Sequence, residues 1–333
     1  MALKLSNMEK SAIICVASPL QAVCALEAIS YFNIGKYKFY VIDDGVSLSK
    51  VLDALNGKIT YKVLPLRTKW FLQIIFMLRS LLPLWGNVDC LIMGDYRMFA
   101  IKFRFIPHLR KNGKIVYVDD GNYLISLSKG LSQFGLAIQI RRWFFSLVTH
   151  LKSLKDDNYY TLFYQLIDNK KWNIIGNDMK SVSVPKDCKK RSVYIVGTVS
   201  TLYCETLGIT QDKYKKNLIQ VLKTIKTEYP NHTICYVPHR RDDAMWIKNE
   251  CANLNIEYLK CKSCIEIELI KRRAFPIEIF GFSSTALITL KRMFCDSKVT
   301  NLYIDGGNNL AGVKEYVNLI DEFAKLDIQT RKL

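Results

Sequence analysis

The tripeptide Asp-Asp-Gly occurs twice, at Asp43 to Gly45 and at Asp119 to Gly121, each time directly after an apolar, β-like run. Adjacent carboxylates on a tight turn are coupled, so one can take a proton from a substrate hydroxyl while the other orients it or holds the substrate. The same letters also make a solvated turn, with Asp favouring the bend and Gly a left-handed conformation. Composition does not choose between the copies. In the second half of the chain, Pro238-His239-Arg240-Arg241 follows another apolar run and places an imidazole beside two guanidiniums, a set suited to an anion. His108, His150 and His232 do not follow such runs. Gly281-Phe282-Ser283-Ser284-Thr285 opens an apolar helical stretch, so hydroxyls and free backbone N–H groups meet where a phosphate would sit. Ordinary serine capping explains the same residues. Gly197-Thr198 is a smaller polar turn of the same kind.

Two further clusters have double readings. Ala17-Ser18-Pro19-Leu20-Gln21 leads into a helix expected from around Ala22; Ser18 as N-cap and Pro19 at the first helical position account for most of it, and Gln21 is left over. Gly94-Asp95-Tyr96-Arg97 either lines a cleft or caps the helix that follows it.

These clusters need elements to hold them. Strands are expected at Ala12 to Ala17, Tyr37 to Ile42, Ile59 to Leu64, Val88 to Met93 and Lys114 to Val118, alternating with helical patterns, which argues for a parallel α/β fold. Lys152 to Lys190 has no clear apolar period after Trp172 and ends in Ser181-Val-Ser-Val-Pro185. The domain boundary is therefore expected there, between an N-terminal domain of residues 1–180 and a C-terminal domain of residues 190–333. The second series restarts at Ser192 to Val196 and continues at Thr233 to Val237, Ile256 to Leu259, Ile277 to Phe280 and Val299 to Ile304. Two Rossmann-like α/β domains facing a central cleft follow, with ligand groups on loops at the carboxyl ends of strands. The absence of GxGxxG and GxxxxGK[ST] removes the main support for dehydrogenase and NTPase functions.

Composition bounds the rest. The chain has 333 residues, half apolar and 23% charged, which is a globular balance and excludes disorder and collagen-like structure. Lys and Arg number 48 against 30 acids, a net charge of +18 that favours anionic partners. The basic residues are dispersed and no recognition-helix, RRM or zinc-finger pattern occurs. A nucleic-acid-binding protein is thus an alternative of another class, and no nucleic-acid partner is expected. Ten cysteines are scattered, which reads as a reducing compartment; the lone Cys261-Lys-Ser-Cys264 lacks partner ligands, so no metal is expected. No export signal is visible. Trp70 to Trp85 is interrupted by Arg79 and Pro83 and does not read as a spanning helix. With Lys69 and Arg79 beside an apolar face, and Arg141, Arg142, Trp143, Phe144 and Phe145 repeating the combination, it reads as a core helix or as peripheral attachment to an anionic membrane. The same apolar helices, Trp70 to Trp85 and Arg141 to Leu151, would equally form a homodimer interface.

Taken in order, Ser18-Pro19-Leu20-Gln21, Gly94-Asp95-Tyr96-Arg97, Asp119-Asp120-Gly121, Pro238-His239-Arg240 and Ser283-Ser284, each placed after a successive strand, resemble bacterial CMP-sialic acid-dependent sialyltransferases, and glycosyltransferase family 52 in particular. The resemblance implies a GT-B-type fold with an acceptor-side N-terminal domain and a CMP-sugar-binding C-terminal domain. It selects the second Asp-Asp-Gly as the site and leaves Asp43 to Gly45 a turn. It implies that Asp119 is the base for the acceptor hydroxyl, with Asp120 orienting it or contacting the acceptor and as the alternative base, that Ser18, Pro19, Gln21, Asp95, Tyr96, Arg97 and Gly121 lie toward the acceptor, and that His239 contacts the CMP phosphate. Ser283 and Ser284, with Arg240, Gly197 and Thr198 nearby, would bind the donor. Glu266 would hold the ribose, with Glu268, on the same face of an expected strand, as its substitute. Arg240 stands where the family often has Pro after the histidine. The activity implied is inverting transfer of sialic acid from CMP-Neu5Ac, without a cofactor or a metal, to a galactose-terminated oligosaccharide or lipid-linked acceptor, with α-2,3 linkage. Its setting would be lipopolysaccharide or other surface-polysaccharide biosynthesis in the bacterial cytoplasm, at the cytoplasmic face of the inner membrane where peripheral. Another nucleotide sugar, CMP-Kdo or a UDP- or GDP-hexose, is the alternative within the same fold.

Overall fold

The computed structural model describes residues 9–43, 48–55, 59–65, 69–119, 124, 128, 136–167, 172–180, 191–239, 241–242, 245–305 and 307–333. The chain divides into two compact units, Met1–Ser181 and Val182–Leu333.

The first unit runs β1 (Lys10–Val16), α1 (Pro19–Tyr31), β2 (Ile34–Asp43), α2 (Leu48–Leu55), β3 (Tyr61–Pro65), α3 (Trp70–Leu81), β4 (Val88–Met93), α4 (Phe99–Phe105), β5 (Leu109–Val118), α5 (Leu136–Leu151), β6 (Lys155–Thr161) and β7 (Asn173–Gly176). Its seven strands are parallel in the order β3-β2-β1-β4-β5-β6-β7. β1 reads as an unbroken apolar run because a central parallel strand is covered on both faces. Ser18 is the N-cap of α1, accepting the Gln21 amide, and Pro19 opens the helix. The helix therefore starts three residues before the expected Ala22. The other departure is at the end of the unit. Residues 155–161 and 173–176 form two strands that were not among those expected, because Asp, Asn and Tyr interrupt the apolar pattern and the sheet supplies the order that propensity lacks.

The second unit runs β8 (Arg191–Val196), α6 (Ser200–Leu207), α7 (Gln211–Glu228), β9 (Thr233–Val237), α8 (Met245–Asn253), β10 (Glu257–Tyr258), α9 (Ile265–Arg272), β11 (Phe275–Gly281), α10 (Thr285–Met293), β12 (Lys298–Tyr303), α11 (Leu310–Ala324) and β13 (Gln329–Lys332). Six parallel strands lie in the order β10-β9-β8-β11-β12-β13. Tyr203, Tyr214 and Phe282 pack edge to face or tilted in a core that takes residues from both strands and helices. The edge strand β13 was not expected; Gln-Thr-Arg-Lys has no strand signature and is ordered by pairing with β12. Ile265 to Glu268 is the first turn of a helix rather than a strand. Three alternating apolar residues imitate a strand, whereas Glu266 and Glu268 in the first turn and Lys271 and Arg272 in the last complement a helix dipole.

Candidate functional site

Both sheets reverse strand order at one place, the switch point outside which open α/β sheets place their ligand groups. In the first unit this switch lies between β1 and β4; in the second it lies between β8 and β11. Parallel register then decides which residues share a level.

In the first unit Cys15, Met93, Tyr117 and Tyr159 are partners in successive pairs. Two residues further on come Ala17, Asp95, Asp119 and Thr161, so the register brings the Asp119 carboxylate to the end of β6. Asp119 is fully buried. Its Oδ2 accepts the Leu162 amide at 2.7 Å and faces the Cys24 thiol at 3.8 Å, while the Thr161 hydroxyl donates to Oδ1. Thr161 Oγ1 in turn accepts the Phe163 amide at 3.0 Å. Asp120 and Gly121 lie outside the described residues, as do Asp44 and Gly45 of the first copy.

Gln21, the residue left unexplained by capping, is buried and accepts the Ala17 amide through Oε1 at 2.7 Å. It closes the β1–α1 turn from within. A Cβ on Gly94 would stand 2.2 Å from that oxygen, so the glycine is required by the close approach of Gln21. Asp95 accepts the Arg97 backbone amide at 2.7 Å and pairs with its guanidinium at 2.9 Å. The carboxylate therefore folds the turn ahead of α4 and does not cap the helix, whose N-cap is Met98 with no side-chain cap bond.

Tyr96 is part of an assembly that the sequence gives little notice of. Lys102 on α4 is fully buried; its ammonium lies 4.2 Å from the ring centres of Tyr96, Phe99 and Phe145 and 5.0 Å from that of Tyr117, and it donates to the Tyr117 hydroxyl at 3.3 Å. Four ring faces hold the cation in place of water. Burial still pushes the ammonium down to about 7, against the opposing pull of Asp156 and Asp95. Burial also raises the Tyr96 hydroxyl, to which Arg142 of α5 is hydrogen-bonded. The only sequence signal is a lysine set among the three phenylalanines of Phe99-Ala-Ile-Lys-Phe-Arg-Phe105.

In the second unit Val237, Val196, Gly281 and Asn301 form one row across β9, β8, β11 and β12. The loops after this row carry Pro238-His239, Gly197-Thr198 and Ser283-Ser284, so the register brings these three sequence clusters together at the switch point. His239 Nδ1 accepts the Arg241 amide at 3.1 Å. Asp242 accepts the Ser200 hydroxyl at 2.9 Å and ties this loop to the start of α6. A Cβ on Gly197 would meet the Tyr236 hydroxyl at 2.6 Å. Arg240 lies outside the described residues.

Ser283 takes the left-handed conformation, φ +43°. Its amide donates to Asn301 Oδ1 at 2.9 Å, and Asn301, fully buried on β12, thereby turns the chain from β11 toward α10. Ser284 is the N-cap of α10, accepting the Ala286 amide at 3.2 Å. Asn301 is a positioning residue that sequence reasoning missed; an asparagine inside the β-like Val299 to Tyr303 run was its one visible sign. Glu266 is buried against α10 and accepts the Thr289 hydroxyl, whereas Glu268 pairs with Arg272 at 2.8 Å. On the helix they point apart, so the two glutamates are not interchangeable.

No protein-family model matches the chain, and no curated protein sequence matches it. Solved structures do. The GT-B domain of a sialyltransferase from Photobacterium damselae superposes with a TM-score of 0.56 at 12% identity, covering 97% of this chain and all of that domain. A Listeria monocytogenes protein assigned as a UDP-N-acetylglucosamine 2-epimerase superposes with a TM-score of 0.50 at 12% identity, over 96% of this chain and 90% of the other. An α/β-galactoside α-2,3-sialyltransferase from Photobacterium phosphoreum gives a TM-score of 0.49 at 13% identity, over 97% and 99% of the two chains. At such identities the likeness is one of fold. The chain thus has the GT-B fold, with a Rossmann-like α/β sheet in each of its two units, as the order of its strand-end motifs implies.

Proposed function

We propose that the chain is an inverting sialyltransferase, moving sialic acid from CMP-Neu5Ac to a galactose-terminated oligosaccharide or lipid-linked acceptor in bacterial surface-polysaccharide or lipopolysaccharide biosynthesis. The observation that carries this reading is the row of strand ends in the second unit: one register sets an imidazole, a serine-capped helix N-terminus and a glycine turn at a switch point. That set suits a sugar nucleotide's phosphate. The order of the strand-end motifs, which resembles that of bacterial sialyltransferases, supports the sialyl part of the reading.

In this reading the acceptor hydroxyl gives its proton to the Asp119–Asp120 pair, and its oxygen attacks the anomeric carbon of the sialic acid. The bond from that carbon to the CMP phosphate breaks, with its electron pair leaving on the phosphate oxygen. His239, Ser283, Ser284 and the free N–H groups of α10 stabilise the charge that develops there, which is work a metal would otherwise do. One displacement inverts the anomeric centre. Asp119 is held by three donors, and Gln21, Asp95, Tyr96 and Arg97 shape the acceptor side. Glu266 belongs to the donor side through its contact with α10. The shared fold of a UDP-sugar epimerase keeps a different nucleotide sugar as the second reading.

The test is CMP release from CMP-Neu5Ac in the presence of EDTA, across galactose-terminated acceptors, for the wild type and for Asp119→Asn and Asp120→Asn. Acceptor-dependent release that both variants lose is the expected result. Folded protein that releases no CMP with any acceptor contradicts the reading and directs the assay to CMP-Kdo and to UDP- and GDP-hexoses.

A further inference from the structure

The first unit exposes apolar side chains where its core does not need them. On α5 Phe145 and Val148 face the interior, yet Leu136, Ile140, Trp143, Leu147 and Leu151 recur at helical spacing on the outward side. Trp143 is 68% and Ile140 55% exposed. The adjoining α3 repeats the pattern with Phe71, Ile74, Ile75 and Leu78, and both helices pack on α4. The end of α5 is tied to the segment after α3: the Lys152 ammonium donates to the Leu82 and Leu84 carbonyls at 2.8 Å and lies 4.5 Å from the ring centre of Trp85. Leu82, Leu84 and Trp85 are exposed in their turn. An apolar surface carried by two neighbouring helices and a linking segment marks a contact with something else.

Charge decides what that is. Residues 54–88 and 121–155 contain no Asp or Glu, and each stretch holds five Lys or Arg. Lys69 and Arg79 stand at the two ends of α3, and Arg141 and Arg142 lie beside the Trp143 stripe; all four are exposed. A second copy seated on this face by two-fold symmetry would bring cations against cations, with no acid from these stretches to pair with them. Anionic headgroups would complement the cations while the apolar side chains enter the acyl boundary. Among the described residues no helix is long and apolar enough to cross a membrane, so the contact is one of lying on the surface.

We propose that the outward faces of α3 and α5, with Leu82 to Trp85, dock the protein on an anionic phospholipid surface. The docking stands independently of the sialyl-transfer reading. Co-sedimentation of the full chain with phosphatidylcholine vesicles, with and without phosphatidylglycerol, tests it, beside CMP release on a soluble acceptor and sedimentation equilibrium in solution. Binding to the anionic vesicles about tenfold above neutral ones, weakened by salt, is expected. Ile140→Glu with Trp143→Glu should abolish it without changing the melting temperature or turnover on the soluble acceptor. Leu78→Glu on the other helix should weaken it as well and serves if the double variant does not fold. Wild-type protein that ignores anionic vesicles, or binds both kinds equally, overturns the proposal. So does a dimer that Trp143→Glu dissociates in protein lacking vesicle affinity, which assigns the face to a second copy.

Discussion

The Leu162 amide, one residue past the end of β6, donates to the carboxylate of Asp119, one residue past the end of β5, at 2.7 Å. The bond pins two parallel strands at the level where the site is built, and the Thr161 hydroxyl completes it. Asp119→Ala would leave a buried N–H and a buried hydroxyl without their acceptor, at a cost of about 1–3 kcal/mol for each group. We expect the variant to lose transfer and also to melt several degrees lower, on the order of 5 °C. Asp119→Asn, which keeps an acceptor oxygen, should lose transfer with the smaller fall in melting temperature. Thermal denaturation followed by the CMP-release assay checks both; an unchanged melting temperature in Asp119→Ala would remove the pin from the account.

Ser283, Ser284 and Asn301 make separable predictions because each holds the α10 turn differently. Ser284→Ala removes the N-cap and should cost about 1 kcal/mol. Asn301→Leu strands the Ser283 amide in a buried position and should cost more, about 1–3 kcal/mol, while raising KM for the donor more than it changes kcat. Ser283→Gly should leave stability unchanged or slightly raised, since glycine accepts the positive φ that Ser283 carries, and should weaken donor binding only by the lost hydroxyl. Equal melting temperatures for the wild type and Asn301→Leu would show that the turn does not depend on the asparagine.

The strands that carry chemistry were legible, and for one reason. β1, β4, β5, β8, β9, β11 and β12 are central in their sheets, so covering on both faces forces apolar runs that announce themselves. The turn residues after them then mark where ligand groups belong. What was illegible lies at edges and in contacts between elements. β7 and β13 are edge strands whose residues need not be apolar, and β6, next to the edge, is broken by Asp and Asn. Glu266 and Glu268 alternate with isoleucines in a way that three residues of helix and three of strand share. The bond that Gln21 makes to its own turn was illegible too, because a side chain that serves its own turn has no letter to distinguish it from one that serves a substrate. Lys102 and Asn301 act in part through neighbours distant in sequence, Tyr117 and Phe145 for the one and Ser283 for the other, which the local pattern does not record.

Gly94 and Gln21 form a pair that substitution can probe in both directions. Gly94→Ala would drive a methyl group into the Gln21 side chain, breaking the Ala17 bond at the end of β1, and should cost about 2 kcal/mol, as overpacking in a dense core does. Gln21→Ala opens the space the methyl needs. The double variant should therefore be less destabilised than the sum of the two singles, by at least about 0.5 kcal/mol. Additive denaturation midpoints would mean that the two residues do not meet in solution.

The caged Lys102 gives a pH signature whose sign follows from its burial. Its ammonium is pushed down from the ordinary 10.5 to about 7, so between these values the unfolded chain keeps a proton that the folded chain has shed. Unfolding then takes up a proton, and stability rises with pH through that window. Below about 7 both states hold the proton and the penalty is present in full. Asp156 and Asp95, which favour the cation, and the rings of Tyr96, Phe99, Tyr117 and Phe145 oppose the desolvation, while Arg142 adds to it. Lys102→Met keeps the length of the side chain and removes the titration. We expect the stability difference between variant and wild type to shift by about 1–3 kcal/mol between pH 7 and pH 10, the wild type gaining relative to the variant as pH rises. Urea denaturation across that range measures it. Parallel stability curves would place the Lys102 titration outside the window and leave the four rings stabilising the cation by as much as its lost hydration.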